Sequence, residues 1–194
     1  MLFRSVVDDG SSDNTSKIVS KNGATLLRHL INRGQGAALQ TGNEYALAHS
    51  ADIVVHFDAD GQFSAAEIGE MIKPIVAEGY DVVLGSRFLG KKNNMPFLKR
   101  YLIIPLARLI NFLLFAVNLS DPQSGFRALN KQAIRKITIE QSGWAHCSEI
   151  LDKVKTNKLK VKEVPITVTY SKFGRNLGSG LEIIKDSIIG KLIN

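Results

Sequence analysis

The stretch HFDADGQF at residues 56–63 is the strongest indication of the fold and of a ligand site in this chain. The β-branched run IVV at residues 53–55 comes directly before it, and such a run predicts a buried strand. Gly61 supplies a break at which this strand ends. Asp58 and Asp60 are therefore expected at the carboxyl end of a strand, which is the edge where open α/β sheets bind ligands.

Two carboxylates one residue apart in a turn can bind the same hard cation. Mg²⁺ or Mn²⁺ held by Asp58 and Asp60 would take oxygen ligands and leave positions open for a diphosphate. The alternative is a solvated Asp-x-Asp turn, since Asp and Gly are ordinary turn residues. The metal site is favoured because polar clusters also follow other predicted strands of this sequence.

The composition is that of one folded domain. The chain has 194 residues, of which 44% are hydrophobic and 22% charged, enough for one core but not for two comfortable domains. Cys147 is the single cysteine, which excludes an internal disulfide; it is expected to be structural, like His146. The net charge of +7 favours an anionic partner, such as nucleic acid, a phosphate-bearing ligand or a membrane surface.

Strands and helices alternate along the first half of the chain. Apolar runs and capping residues predict strands over residues 2–7, 24–27, 53–55 and 81–84, with helices over residues 16–21, 37–50 and 64–78 between them. This order predicts an α/β fold with a mainly parallel sheet and right-handed crossovers. Asp8, Asp58 and Arg87 would then lie at one edge of the sheet.

The loop after the first predicted strand has the composition of a nucleotide-binding loop. Its sequence is DDGSSDNT, residues 8–15. The carboxylates of Asp8 and Asp9 could accept hydrogen bonds from a base or a ribose, while Gly10 and Ser11 would let a ligand approach the backbone. Capping of the next helix explains the same residues equally well.

A second loop, NRGQG at residues 32–36, precedes a predicted helix. Arg33, Gly34 and Gly36 would contact a phosphate or a nucleotide there, through the guanidinium group and the amino end of the helix. Two glycines with one residue between them are a weak signal when taken alone. A further cation, Arg87, again follows a predicted strand.

Leucine, isoleucine, phenylalanine and alanine dominate residues 98–119. The segment is about as long as a membrane-spanning helix, which needs ~20 apolar residues. Pro105, Arg108 and Asn111 argue against a span, because a cation near the centre of a bilayer is costly. We expect one or two helices at a membrane interface, with a basic cluster facing anionic lipid headgroups; burial in the core is the alternative. The basic cluster consists of Lys91, Lys92, Lys99 and Arg100.

Two loops in the second half also carry charged groups. Asp121 begins the polar turn DPQSGFR at residues 121–127, where it either caps the turn or acts on a ligand. The loop SKFGRNLGSG at residues 171–180 is basic and rich in glycine. Loops of this kind in compact domains are usually functional, and Lys172 and Arg175 could close over phosphates.

With these pieces in order, the chain resembles the family 2 glycosyltransferases of the GT-A fold. Within them it resembles the dolichyl-phosphate mannose synthase-like, or polyprenyl-phosphate glycosyltransferase, branch. The resemblance spans nearly the whole chain and depends on the order and spacing of the motifs. The matching stretches are VVDDGSSDNT at 6–15, NRGQGAALQTG at 32–42, FDADGQF at 57–63, GSRF at 85–88, DPQSGFRALN at 121–130 and EVPITVTY at 163–170.

The resemblance implies a role for each candidate residue. Asp58 and Asp60 would hold the divalent ion, Mg²⁺ or Mn²⁺, that bridges the donor diphosphate, with Gln62 as the third residue of the metal site. Arg87 and Arg100 would bind the phosphates of the acceptor or of the diphosphate, and residues 171–180 would resemble the mobile C-terminal loop of the family. The residues that would contact the nucleotide are Asp8, Asp9, Gly10, Ser11, Arg33, Gly34, Gly36 and Ala59.

The implied reaction is a direct displacement at the anomeric carbon of the sugar, which inverts its configuration. The leaving diphosphate needs its growing negative charge stabilised, and a divalent ion with arginines supplies this. An alcohol acceptor would also need a general base, for which Asp121 is the candidate. A lipid phosphate would not, because a phosphate monoester with a second pKa of about 6 is already ionised at pH 7.

The sequence therefore predicts a metal-dependent, inverting glycosyltransferase that moves a sugar from GDP-mannose or a UDP-hexose to dolichyl or undecaprenyl phosphate. It is expected to be cytoplasmic and peripheral on the cytoplasmic face of the membrane. One alternative is a family member with a saccharide hydroxyl acceptor. Another is a non-catalytic module that binds nucleotides or nucleic acid, which is disfavoured because the basic residues are not interleaved with stacking aromatic residues.

The start of the sequence departs from the family. Its members normally begin with another strand and helix, so residues 1–194 are expected to be a single GT-A domain truncated at its amino end. Such a chain alone should bind nucleotide weakly and fold marginally, because a neighbouring strand would keep unpaired backbone groups. Many relatives also carry C-terminal membrane helices, and a separate membrane-anchor subunit is a candidate partner.

Overall fold

The computed structural model describes residues 3–90, 101, 105, 119–143 and 145–169. The strands are β1 (Ser5–Asp8), β2 (Thr25–Arg28), β3 (Ile53–His56), β4 (Val82–Ser86), β5 (Arg127–Asn130) and β6 (Val161–Pro165). The helices are α1 (Thr15–Lys21), α2 (Gln35–Ala48), α3 (Ile68–Glu78), α4 (Lys131–Lys136) and α5 (His146–Thr156), with a 3-10 turn at Ala65–Glu67 before α3. The strands and helices predicted for the first half of the chain are all confirmed.

The described strands form two sheets. β1 and β2 pair in parallel, with Ser5 opposite Thr25 and Asp8 opposite Arg28. The other four strands follow the order β3-β5-β4-β6, in which β4 and β6 are parallel and β5 is antiparallel to both of its neighbours. The predicted α/β class with a mainly parallel sheet is confirmed, because β3, β4 and β6 run in one direction.

The sequence pattern does not predict the antiparallel strand β5. Ala128 and Leu129 are its apolar residues, and a run of two gives no strand period. The strand forms because it is paired on both sides, with Arg127 opposite His56 of β3 and Leu84 of β4. Since β5 runs against its neighbours, its first residue lies at the edge where β3 and β4 end. The turn before β5 therefore reaches the predicted ligand edge.

Both faces of the four-stranded sheet are covered. In β4, Val82 and Leu84 pack on one face with residues of α4 and α5, whereas Val83 packs on the other face with residues of α3. This alternation follows from the two-residue period of a strand. Every residue of β4 is buried, as expected for a strand between two helical layers.

No helix among the described residues is long and apolar enough to cross a membrane. Most of the apolar segment at residues 98–119, and with it the predicted interface helices, lies outside the described residues. Arg100, Lys172 and Arg175 also lie outside them, so their roles stay predictions.

Candidate active site

Asp58 and Asp60, here called the acid pair, follow β3 at its carboxyl end, as predicted. Their turn contains Gly61, whose φ of 74° lies in the left-handed region that favours glycine. The Asp60 carboxylate accepts a hydrogen bond from the Gln62 backbone N–H at 2.9 Å, and the Asp58 carboxylate accepts one from Gln35 Nε2 at 3.0 Å. Asp60 is exposed, whereas Asp58 is partly buried.

Partial burial changes the electrostatics of Asp58. The loss of solvent raises the pKa of its carboxyl group, the positive charge of Arg127 opposes this rise, and the negative charge of Asp60 adds to it. A divalent cation would act in the opposite direction, because it stabilises the charged form of a carboxylate. The acid pair is therefore a concentration of negative charge that a cation would compensate.

The donor set of this turn fits a hard divalent cation. Asp58 and Asp60 offer carboxylate oxygens, which are the ligands that Mg²⁺ and Mn²⁺ prefer. The part of the chain that the structure describes contains no group of three or more His, Cys, Asp or Glu side chains suited to a metal. The remaining ligands would come from Gln62, water or a bound diphosphate, so the predicted residues fit such an ion without enclosing it.

Three phenylalanines pack around the acid-pair turn. The ring centroids of Phe57 and Phe63 each lie 5.3 Å from that of Phe126, and they are 6.0 Å from each other. Phe126 is fully buried, in the turn that precedes β5. This aromatic cluster fixes the acid-pair turn against the turn at residues 121–126.

The turn at residues 121–126 also touches the acid pair directly. Gly125 lies so close to Asp58 Oδ2 that a β carbon at this position would overlap with the carboxylate. Glycine is therefore needed at this position for close approach of the backbone. The two turns, far apart in sequence, together form one side of the site.

Arg87 follows β4, as predicted, and forms an ion pair with Asp121. Its Nε and Nη2 donate to the two oxygens of the Asp121 carboxylate, each at 2.5 Å, and its backbone N–H donates to Oδ2 at 3.1 Å. This bidentate geometry fixes the plane of the guanidinium group, and Asp121 is only 2% exposed. The predicted phosphate ligand and the predicted general base therefore contact each other.

Glu163 of β6 holds the start of this turn, a role that the sequence did not indicate. Its carboxylate accepts hydrogen bonds from the backbone N–H groups of Ser120 and Asp121 at 2.7 and 2.8 Å, and from Ser120 Oγ at 2.8 Å. The hydroxyls of Ser120 and Ser86 are 2.5 Å apart. A charged residue inside a strand was the available signal, but its partners lie more than 40 positions away.

Asp8 ends β1, as predicted. Among the described strands, however, β1 pairs with β2 in a sheet of its own, so the prediction that Asp8 shares one sheet edge with Asp58 and Arg87 is wrong. The Asp8 carboxylate is bonded within the protein. It accepts hydrogen bonds from the Ser11 backbone N–H at 2.9 Å and from Ser16 Oγ at 2.5 Å, and Arg28 Nε lies 3.5 Å away. The hydrogen bonds from Ser11 and Ser16 lower the pKa of Asp8 to about 2. Asp8 thus stabilises the loop that leads into α1.

Asp9 joins the two predicted nucleotide loops. Its carboxylate accepts hydrogen bonds from the backbone N–H groups of Arg33 at 2.8 Å and Gly34 at 2.7 Å, and His29 Nδ1 lies 2.6 Å from Oδ1. Burial alone would raise the pKa of Asp9, but these bonds outweigh it and lower the pKa. Two backbone amides of the loop at residues 32–36 are therefore already used within the protein.

The glycines of these loops allow close packing between them. Gly10 has a φ of 78°, and a β carbon there would lie 2.8 Å from Asn32 N. Gly34 and Gly36 lie against the backbone of residues 141–142, with no room for a β carbon. Among the predicted nucleotide residues, Arg33 and Ala59 are exposed and Asp8 and Gly36 are buried. The partly buried ones are Asp9, Gly10, Ser11 and Gly34.

A buried polar cluster lies near Asp58, and the sequence did not predict that its residues come together there. Arg127 is 1% exposed; its Nη2 donates to Cys147 Sγ at 3.0 Å, and His146 Nε2 lies 3.4 Å from the same sulfur. Burial alone would raise the pKa of the Cys147 thiol, but the charge of Arg127 and the bond with His146 lower it to about 7. Burial, with the charge of Arg127, lowers the pKa of His56 to about 3. The cluster thus places a positive charge close to the acid pair.

The chain is similar to known proteins in sequence and in fold. The family model described as glycosyl transferase family 2 matches residues 5–138. An uncharacterized protein of Methanocaldococcus jannaschii is 38% identical over 195 residues, which cover 96% of the chain and 80% of that protein. A UDP-N-acetylglucosamine–dolichyl-phosphate N-acetylglucosaminyltransferase of Methanococcus voltae is 35% identical over 199 residues, which cover 92% of the chain and 79% of that protein.

Among solved structures, the chain is similar to glucosyl-3-phosphoglycerate synthase from Mycobacterium tuberculosis in complex with Mn²⁺, UDP and glucosyl-3-phosphoglycerate. The TM-score is 0.72 at 19% sequence identity, over 95% of this chain and 67% of that one. At this identity the likeness shows a shared fold.

Proposed function

The chain belongs to the family 2 glycosyltransferases of the GT-A fold, in the dolichyl-phosphate mannose synthase-like branch, and we propose that it transfers a sugar from a nucleotide sugar to a polyprenyl phosphate. The observation that carries this proposal is one turn that contacts two sites. At one end of the turn Asp121 binds Arg87, and at the other end Gly125 touches Asp58. The acid pair suits a cation on the donor diphosphate, and the arginine suits a second phosphate.

The nucleotide end of the donor would lie on the loops that Asp9 joins. Asp9 fixes the backbone of Arg33 and Gly34, so the exposed Arg33 side chain starts from a defined position. Gln35, in the first turn of α2, reaches Asp58. The same loop therefore connects the expected nucleotide position with the acid pair.

Asp58 and Asp60 would hold Mg²⁺ or Mn²⁺, with Gln62 as a further oxygen ligand. When bound, the ion neutralises the charge that the leaving diphosphate gains. Support comes from the oxygen donors of the turn and from the Mn²⁺ in the structure of the similar glucosyl-3-phosphoglycerate synthase. Partial burial disfavours the charged form of Asp58, so this carboxylate gains more from a cation than a fully solvated one would.

Arg87 would bind the phosphate of the acceptor, and Asp121 would hold Arg87 in place. Both oxygens of Asp121 accept hydrogen bonds from Arg87 and the residue is buried, so a hydroxyl acceptor would meet a base that is already paired and poorly accessible. A saccharide hydroxyl needs such a base, whereas a phosphate monoester with a second pKa of about 6 is already ionised. The ion pair therefore favours a phosphate acceptor over the saccharide alternative.

A polyprenyl phosphate brings the reaction to a membrane surface. We place the protein peripherally on the cytoplasmic face, with the apolar segment at residues 98–119 and its basic flank as the lipid contact. The net charge of +7 suits anionic headgroups. The Methanococcus voltae relative is named for a dolichyl-phosphate acceptor, which supports this class of lipid.

The test is incubation of the full-length protein with dolichyl or undecaprenyl phosphate and a panel of GDP-mannose, UDP-glucose and UDP-N-acetylglucosamine. At least one donor should give a lipid-linked sugar, EDTA should stop the reaction, and excess Mg²⁺ or Mn²⁺ should restore it. The absence of product with every donor would contradict the proposal. Product formed on a soluble saccharide but not on the lipid would overturn the proposed acceptor.

A further inference from the structure

The turn at residues 121–126 spans the distance between the two parts of the proposed site. Its first residue binds Arg87, and Gly125, near its other end, touches Asp58 Oδ2. Whatever lies between the acid pair and the arginine therefore lies along this turn. The intervening residues are Pro122, Gln123 and Ser124.

Gln123 and Ser124 carry polar atoms that are buried without a hydrogen bond. The amide oxygen and nitrogen of Gln123 and the hydroxyl of Ser124 have no hydrogen-bond partner within the described ranges of the chain. Ser124 as a whole is 3% exposed. Burying a polar group without a partner costs stability, and most buried groups avoid it. Two such side chains next to each other need an explanation.

We propose that Gln123 and Ser124 form the subsite that recognises the hydroxyl groups of the donor sugar, an inference that rests on the proposed function. The sugar is attached to the diphosphate, which the cation at Asp58 would hold. In an inverting displacement the acceptor phosphate approaches the anomeric carbon from the side opposite the leaving group. The sugar must then lie between Asp58 and Arg87, along the turn that carries these unpaired groups.

The hydrogen-bonding capacity of these side chains fits sugar hydroxyls better than phosphates. Gln123 offers an oxygen that accepts and a nitrogen that donates, and the Ser124 hydroxyl does both. A sugar hydroxyl also donates and accepts, so each of these atoms can find a partner. An ionised phosphate only accepts hydrogen bonds, and it would leave Gln123 Oε1 unpaired.

The turn is held in place before any ligand binds. Its first residue, Asp121, donates its backbone N–H to Glu163 at 2.8 Å, and its last residue, Phe126, is fully buried. Pro122 has a restricted φ. A rigid turn loses little conformational freedom on binding, so Gln123 and Ser124 can discriminate between sugars.

The test compares a nucleotide sugar with its nucleoside diphosphate. In the presence of Mn²⁺, Gln123→Ala and Ser124→Ala should each weaken binding of the preferred donor of the panel about 10-fold, the effect of a lost hydrogen bond to a buried group. The Kd of the nucleoside diphosphate should change less than about 2-fold, because it lacks the sugar. Deoxy analogues of the donor identify the hydroxyl: the analogue without it should bind the variant and the wild type equally.

Gln132→Ala is the matched control, because Gln132 is an exposed glutamine of α4; it should change neither affinity. Equal weakening of nucleotide sugar and nucleoside diphosphate, or no weakening of either, would overturn the inference. Failure of the proposed function would be seen differently. If the donor binds as described but polyprenyl phosphate accepts no sugar, the acceptor is wrong and the sugar subsite is supported.

Thermal unfolding gives a readout that needs no ligand. Removing a buried hydroxyl without a partner should not destabilise the fold, so Ser124→Ala should unfold at the wild-type temperature or above it. A lower unfolding temperature would show that the hydroxyl stabilises the fold itself, and it would overturn the inference.

Discussion

Two pairs of aspartates lie at the carboxyl ends of strands β1 and β3, and their surroundings differ. Asp8 and Asp9 accept hydrogen bonds from neighbouring residues, which lower the pKa of both carboxyl groups. Asp58 has its pKa raised by burial, and Asp60 is exposed. The same residue type after a strand thus forms a structural pair in one region and a cation-binding candidate in the other. The difference lies in how many donors the surrounding loops supply.

The largest expected effect is on the acid pair. Asp60→Ala should lower transfer by at least about 1000-fold, because it removes a ligand of the ion that neutralises the leaving diphosphate. The melting temperature should stay unchanged, since the side chain is exposed. Asp52→Ala is the matched control, because the Asp52 side chain is 91% exposed and lies outside the site. More than a tenth of wild-type activity in Asp60→Ala would contradict the role of the acid pair as the cation site.

The next largest effect is expected at Arg87, which contacts the same turn as the acid pair. Arg87→Lys should lower kcat/KM by about 10- to 100-fold, because lysine cannot make the bidentate contact with Asp121 and lacks its fixed direction. Steady-state kinetics with varied polyprenyl phosphate measures this. Full activity of Arg87→Lys would mean that the ion pair with Asp121 does not orient a phosphate ligand.

The two aspartate pairs should respond to neutralisation with opposite signs. Asp8→Asn should lower the melting temperature, because the fold stabilises the charged form of Asp8. Asp58→Asn should raise it by a few degrees in EDTA, because the fold disfavours the charged form of Asp58 when no cation is present. Thermal unfolding at pH 7 checks both variants. A shift of the same sign in both would contradict the distinction.

The smallest effect is the pH dependence that Asp8 contributes to stability. A carboxyl group whose pKa is lowered on folding contributes stability above its unfolded value of 3.8, and the contribution is lost as the pH falls toward about 2. The difference in melting temperature between wild type and Asp8→Asn should therefore be constant from about pH 5 to 7 and shrink below that window. A difference that widens toward low pH would contradict the role given to Asp8.

Strand ends could be predicted from the sequence, because apolar runs followed by polar residues are local signals. This placed Asp58 and Arg87 at the edge where the structure has them. The strand that begins at Arg127 was missed, since its short, mixed sequence becomes a strand only between two neighbours. Local sequence patterns indicate which secondary structure a residue prefers, and pairing with neighbouring strands can override that preference.

The partners of the site residues could not be predicted, because they are distant in sequence. Asp9 binds the backbone of Arg33, 24 positions away, and Asp121 binds Arg87, 34 positions away. Whether the Asp9 carboxylate accepts hydrogen bonds from a ligand or from a neighbouring loop depends on this three-dimensional packing. The burial of the Gln123 amide without a hydrogen-bond partner among the described residues is likewise a property of the fold, which the motif DPQSG does not reveal.

The proposed cation site is tested most directly by anomalous diffraction at the manganese edge from crystals of the protein soaked with a nucleotide sugar and Mn²⁺. A peak is expected within coordination distance of the carboxylates of Asp58 and Asp60, with the donor diphosphate on the same ion. A peak at another site, or no peak while the donor is bound, would contradict the proposed cation site.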